Sequence, residues 1–172
     1  MDKRWIGILI ILIIGCCCMY FIVSSSDTVG TAITDVNKTV VTLPHGFSIG
    51  DDDKGSVTLV SKHSDEKIHI KDLGKNDTAK KSCDEKLYEL DHDSNMNVLK
   101  NYTSNISNFN VYRINFEDLS KENVTNVSSA YIYTCNHTFL IKMYNYNNQT
   151  GLDDDLTFII NTLRPDFKQS QD

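Results

Sequence analysis

Apolar residues run without a charge from Trp5 to Val23 (WIGILIILIIGCCCMYFIV), and every later apolar stretch is short and interrupted by polar positions. As a helix, nineteen residues extend about 28 Å, close to the hydrocarbon thickness of a bilayer. Lys3 and Arg4 precede the run, and no basic residue occurs after it until Lys38. Positive charge stays on the cytoplasmic side, so residues 1–4 are expected inside and the C-terminal part outside. Trp5 and Tyr20-Phe21 suit the two interfaces. The length favours an uncleaved single-pass anchor over residues 5–23 in the cell membrane. A cleaved signal is a second reading, with a weak site at Val23-Ser24-Ser25. A third takes Ile13-Ile14-Gly15-Cys16 as a lipoprotein box, with lipid on Cys16. All three export the C-terminal part of the chain.

Residues 24–38 are small, polar and without an apolar period, which predicts a flexible tether. From Thr39 the pattern changes to short alternating runs. Thr39–Leu43 reads as a strand stopped at Pro44, and Phe47-Ser48-Ile49 resumes it before a polar turn at Asp51–Gly55. SVTLVS (56–61) and KIHIK (67–71) alternate with period two and predict an antiparallel meander. Ala79, Cys83, Leu87 and Leu90 then fall on one face of a helix, with Asp77 or Thr78 as its cap. Val98–Tyr102 reads as a short strand and Phe109–Phe116 as a clearer one.

Val127–Asn136 and His137–Tyr146 predict a long hairpin with its turn at Asn136-His137. That turn sets Ala130, Ile132 and Thr134 opposite Met143, Ile141 and Phe139. Tyr131, Tyr133 and Cys135 then oppose Lys142, Leu140 and Thr138 on the other face. Both faces are apolar, so both should be covered. Leu152, Leu156, Ile159, Ile160 and Leu163 make a helical stripe ending before Pro165, with Asp153–Asp155 in its first turn. The expected fold is α+β, an antiparallel sheet sandwiched between two helices, over residues 39–167 with a polar tail at 168–172.

This order of elements, with the opening Leu43-Pro44-His45-Gly46-Phe47-Ser48-Ile49 and the closing Phe158-Ile159-Ile160-Asn161-Thr162-Leu163, resembles the PsbP/Mog1-like domains. With the anchor and the Asn-rich domain, it is similar to the membrane-anchored PsbP-like surface proteins of methanogenic archaea. The resemblance implies an α/β/α sandwich and carries no shared catalytic residues.

Charge narrows the partners. Of 17 basic and 23 acidic residues, Asp2, Lys3 and Arg4 precede Ser24, leaving 15 against 22 and a net −7 on the exported part. A basic nucleic-acid footprint is absent. Cys16, Cys17 and Cys18 lie in the apolar run, while Cys83 and Cys135 are left as either a disulfide or two separate thiols.

Candidate chemistry is sparse. Gly46-Phe47-Ser48-Ile49-Gly50 matches the nucleophile-elbow string, with His92 or His137 as a base for a small exported serine hydrolase, but no helix is predicted after the serine. Asp91-His92-Asp93-Ser94-Asn95 opens like a calcium loop, yet Met96 stands where glycine is required and Tyr102 where glutamate is. The histidines show no zinc spacing, so no metal or cofactor is expected. Tyr131, Tyr133 and Tyr144 read as sheet packing before carbohydrate binding. Eight N-x-S/T sequons occur, at Asn37, Asn76, Asn101, Asn105, Asn123, Asn126, Asn136 and Asn148, against about three expected from 16 Asn and 29 Ser and Thr. Export makes them candidate glycosylation sites. The reading is a non-enzymatic, membrane-anchored binding or envelope-accessory module, partnered by a protein or surface polymer, with a glycosylated coat protein as the structural alternative.

Overall fold

The structure, a computed structural model, describes residues 33–36, 39–53, 55–120 and 122–165. The expectations placed on 5–23, Cys16 and Asn37 lie outside them. Among the described residues, no helix is long and apolar enough to cross a membrane.

Two antiparallel meanders join in the middle of one seven-stranded sheet. The first comprises β3 (Phe47–Asp53), β4 (Ser56–Ser61) and β5 (Lys67–Gly74). The second comprises β6 (Met96–Ile106), β7 (Phe109–Asp118), β8 (Thr125–Thr134) and β9 (His137–Tyr144). Strand β9 closes against β5, giving the order β3-β4-β5-β9-β8-β7-β6. Between the meanders, α1 (Ala79–Asp91) carries the chain from the sheet's middle to its far edge. After β9, α2 (Gln149–Thr162) crosses the opposite face. A small second sheet of β1 (Ile33–Val36), β2 (Thr39–Thr42) and β10 (Arg164–Pro165) completes the unit.

Period-two alternation sorts the side chains between two cores. Ile68, Ile70, Val111, Ile132, Phe139, Ile141 and Met143 pack with Leu152, Leu156, Ile159 and Ile160 of α2. Ile114, Phe116, Val127, Tyr131 and Leu140 pack with Ala79, Cys83 and Leu90 of α1. The expected helix, sheet, helix order is what forms; the α2 stripe is buried as read, and the α1 stripe is buried at Ala79, Cys83 and Leu90 and only partly at Leu87.

Several details differ. Ile33–Val36, expected in the tether, pair with Thr39–Thr42, so the domain begins before Thr39. Four residues are too few to show a period. Asp51–Asp53 are not a turn tip: a bulge at Gly50 lets β3 continue through them to pair with Ser56–Thr58. A Cβ on Gly50 would come within 2.9 Å of Val60, which explains the glycine there. Strand β6 runs eleven residues instead of five: a bulge between Val98 and Lys100 interrupts the period of two, and Ser104 puts a polar side chain on the covered parity. The central hairpin turns at Cys135-Asn136, both with positive φ (53° and 60°), so Ile132 faces Phe139 and Ala130 faces Ile141. A primed two-residue turn needs left-handed backbone at both positions, and Asn136 supplies one of them at low strain. The shift of two residues leaves each side chain on its expected face.

Helix α2 starts at Gln149, which places Asp153–Asp155 in the second turn instead of the first. The cap is Asn148, whose Oδ1 accepts from the Gly151 N–H at 2.7 Å. Asn148→Ala is expected to lower stability by about 1 kcal/mol, while Asn148→Asp keeps the acceptor and stays within a few tenths. Urea unfolding of protein made without glycosylation measures both.

Candidate functional site

The free edge of the sheet and α2 enclose a pocket of about 360 Å³. Alternate residues of β6 (Lys100, Tyr102, Ser104 and Ile106) form one wall. Gln149, Asp153 and Thr157, spaced one helical turn apart along α2, form the other, and Arg113 of β7 completes it. Ser107, in the β6–β7 turn, donates to Asn161 Oδ1 near the end of α2 and ties the two walls together.

Arg113 dominates this site. Cross-strand pairing sets it between Tyr102 and Ala130, on the α2 face of the sheet. Its side chain is 3% exposed, while that of its partner Asp153 is 44% exposed. Nη1 donates to Asp153 Oδ1 at 2.5 Å, and Gln149 Nε2 donates to the same oxygen at 2.9 Å. Nε and Nη2 of Arg113 are buried without a partner, as is Ser104 Oγ in the same wall. The guanidinium carbon lies 5.1 Å from the centre of the Tyr102 ring, and Lys100 Nζ lies 4.3 Å from it. Two cations therefore share one aromatic ring. A smaller pocket of about 180 Å³ beside the start of α2, lined by Leu99, Phe116, Met143 and Leu152 among others, has no charged residue in its lining.

The α1 face carries a second polar arrangement. Asp51, Thr58, His69 and Lys142 pair in one row across β3, β4, β5 and β9. Thr58 Oγ1 and His69 Nδ1 are 3.0 Å apart. Burial holds the His69 imidazole below its ordinary 6.5, helped by Lys142 and Lys71 and opposed by Asp51. Burial also lowers Lys142, with Lys86 and Lys71 adding to it. A base whose folded pKa is depressed binds fewer protons than in the unfolded chain. Stability therefore falls as pH drops through 6.5 and on through the folded value. Urea midpoints between pH 7.5 and 5 are expected to decline less steeply in His69→Gln than in the wild type.

The residues singled out from sequence are scattered. Ser48 lies in β3 and its hydroxyl donates to the Val60 carbonyl at 3.4 Å. Gly46 serves a left-handed turn (φ +82°) and Gly50 the bulge, so both glycines of the nucleophile-elbow string have backbone roles. His92 caps α1 and its Nδ1 lies 2.8 Å from the Tyr88 carbonyl. His137 Nδ1 meets Asp72 Oδ2 at 2.7 Å, with both side chains largely buried. Neither imidazole is a hydrogen-bond partner of Ser48. Asp93 Oδ1 accepts from the Asn95 N–H, closing a local turn where the calcium loop was considered. Among the described residues, no group of His, Cys, Asp and Glu is placed to hold a metal.

Cys83 and Cys135 are free thiols. Cys83 sits in the α1 core, where burial pushes it up to about 11, while Cys135 Sγ points to the Leu163 carbonyl after α2, so no disulfide joins them. Tyr131 is buried, and Tyr133 and Tyr144 pack beside it in the α1 core. The seven sequon asparagines among the described residues, Asn76, Asn101, Asn105, Asn123, Asn126, Asn136 and Asn148, are all exposed.

Sequence reasoning missed Arg113 and the wall around it. The signal was present: in FNVYRINF, Arg113 takes the same parity as Phe109 and Val111, a charge at an inward position. Finding the wall required knowing that α2 lies beside β6.

The architecture has solved counterparts at low sequence identity. A Bacteroides thetaiotaomicron protein aligns with 77% of this chain at a TM-score of 0.53 and 14% identity, and the chain spans about half of that protein (47%). The cyanobacterial PsbP of Synechocystis aligns over 81% of this chain and 96% of its own, at a TM-score of 0.48 and 10% identity. LpqN of Mycobacterium tuberculosis, described as involved in cell envelope biogenesis, covers 81% of this chain and 88% of its own at a TM-score of 0.47 and 11% identity. PsbP is thus among the structural neighbours, as the sequence resemblance implied. No protein-family model matches the sequence, and no curated protein does.

Proposed function

We propose that the chain is a membrane-anchored, extracytoplasmic binding module whose ligand sits in the groove between α2 and β6. Arg113 carries this reading: a 97% buried guanidinium with two unused donors, lining a pocket, is poor packing but a prepared recognition group. The charge-free run from Trp5 to Val23 behind Lys3 and Arg4 supports the placement. Exposure of all seven described sequon asparagines is compatible with export.

Backbone-amide NMR on the full chain in detergent micelles, titrated with a library of small acids, sugars and peptides, tests the site. Shifts should cluster in 100–106 and 149–157. Shifts centred on Ser48 or His69, or none at all, reject the groove. Protease added to intact cells tests the placement and should digest the C-terminal domain.

The same seven exposed asparagines favour a second role as a glycosylated surface coat. Mass spectrometry of native protein decides it, since unmodified asparagines throughout remove its basis.

A further inference from the structure

We propose that the α2–β6 groove receives a carboxylate, held by the Nε and Nη2 edge of Arg113. The inference rests on the groove being the binding site and names the chemistry it selects. Of the three guanidinium nitrogens, Nη1 is committed to Asp153, and the two without partners, Nε and Nη2, are neighbours. Their outer N–H bonds run parallel in the plane of the group, the spacing that meets the two oxygens of a carboxylate. Ser104 Oγ, buried and without a partner in the same lining, adds a hydroxyl donor. Charge agrees. The pocket is lined by Lys100, Arg113 and Asp153, so it carries one net positive charge on a domain whose overall sign is negative. One cationic excess, one fork and one hydroxyl suit a planar monoanion better than a phosphate dianion with three oxygens to satisfy.

Both nitrogens are closed to bulk water, and the centre of the half-buried Tyr102 ring lies 5.1 Å from the guanidinium carbon. Entry therefore requires the wall over the Nε and Nη2 edge to move before a carboxylate reaches it. The rest of the pocket offers the Gln149 amide, the Thr157 hydroxyl and the Ile106 side chain. A uronic-acid sugar and an acidic amino acid both carry the required group, and the experiment separates them.

Thermal unfolding of the full chain in detergent is followed with sodium glucuronate, N-acetylglutamate, phosphate or glucose, each at matched ionic strength. Glucuronate or N-acetylglutamate should raise Tm by about 3 °C or more at ten times its Kd. Whichever does so identifies the source. Arg113→Gln should abolish the shift, and Lys100→Ala should weaken affinity about three- to tenfold. Where Arg113→Gln fails to fold, the Arg113 Nε–H resonance of the wild type reads the same contact and should move on titration with the carboxylate. The proposal is overturned by no shift with either carboxylate, by an equal shift in folded Arg113→Gln, by a response to phosphate alone, or by an unmoved Nε–H resonance. A groove that responds equally to glucose and glucuronate overturns the carboxylate while leaving the binding site in place.

Discussion

Phe139→Ala is expected to lower the stability of the domain by about 3–5 kcal/mol, a large part of the ~5–15 kcal/mol a domain of this kind has in total. Phe139 is fully buried in β9, facing Ile132 across the hairpin, in the core that α2 closes. Two effects add. The ring's transfer from water is lost, and the cavity left behind cannot collapse, because the sheet on either side of β9 is held by its hydrogen-bonded neighbours β5 and β8. Two controls fix the scale. Ile141→Val, in the same strand and core, should cost about 0.5–1.5 kcal/mol. Leu99→Ala, at an exposed position on β6, should change stability by no more than about 0.5 kcal/mol. Urea unfolding with an unchanged m-value measures all three. A loss below about 1 kcal/mol for Phe139→Ala would mean that this face of the sheet is loosely filled and that the two-core description is wrong.

That core could be read from the chain because burial writes itself into periodicity. The stripe Leu152, Leu156, Ile159, Ile160 fixed both the existence of α2 and the face it buries. Alternation through 127–144 fixed which side chains of β8 and β9 share a face, and a register error of two residues could not disturb that parity. What escaped depends on backbone geometry with no hydrophobic signature. Nothing in Gly50-Asp51-Asp52-Asp53 announces that a bulge lets three acids continue a strand. Asn148 as a cap looked no different from its neighbours Asn145 and Asn147. The groove was hidden for a further reason. Lys100, Tyr102 and Ser104 become neighbours of Gln149, Asp153 and Thr157 only when α2 lies along the sheet edge, about fifty residues away in sequence. Local pattern does not encode such a meeting. Arg113 broke a local rule, as a charge on the inward parity of a strand, and such violations are where function is to be sought.

Arg113 and Asp153 should respond to mutation asymmetrically, and the asymmetry separates a structural ion pair from a prepared site. Asp153→Ala leaves the guanidinium buried with its charge uncompensated and Nη1 joining the two nitrogens that already lack partners. Removing one member of a fully buried pair costs about 3–5 kcal/mol. Asp153 is 44% exposed, so water already carries part of its field, and about 2–4 kcal/mol is the expected loss. Arg113→Met acts the other way. An unbranched apolar chain of similar reach replaces three donors of which one is used, and Asp153, being half exposed and still held by Gln149, keeps its solvation. The variant should lie within about 1 kcal/mol of the wild type, and the double variant should match Arg113→Met instead of adding the loss of Asp153→Ala. Urea unfolding of the three proteins decides it. If Arg113→Met is as damaging as Asp153→Ala, the guanidinium is a structural strut and the groove loses its claim as a binding site. If methionine serves the fold equally well, packing does not account for the charge, and the two idle nitrogens beside an open groove do.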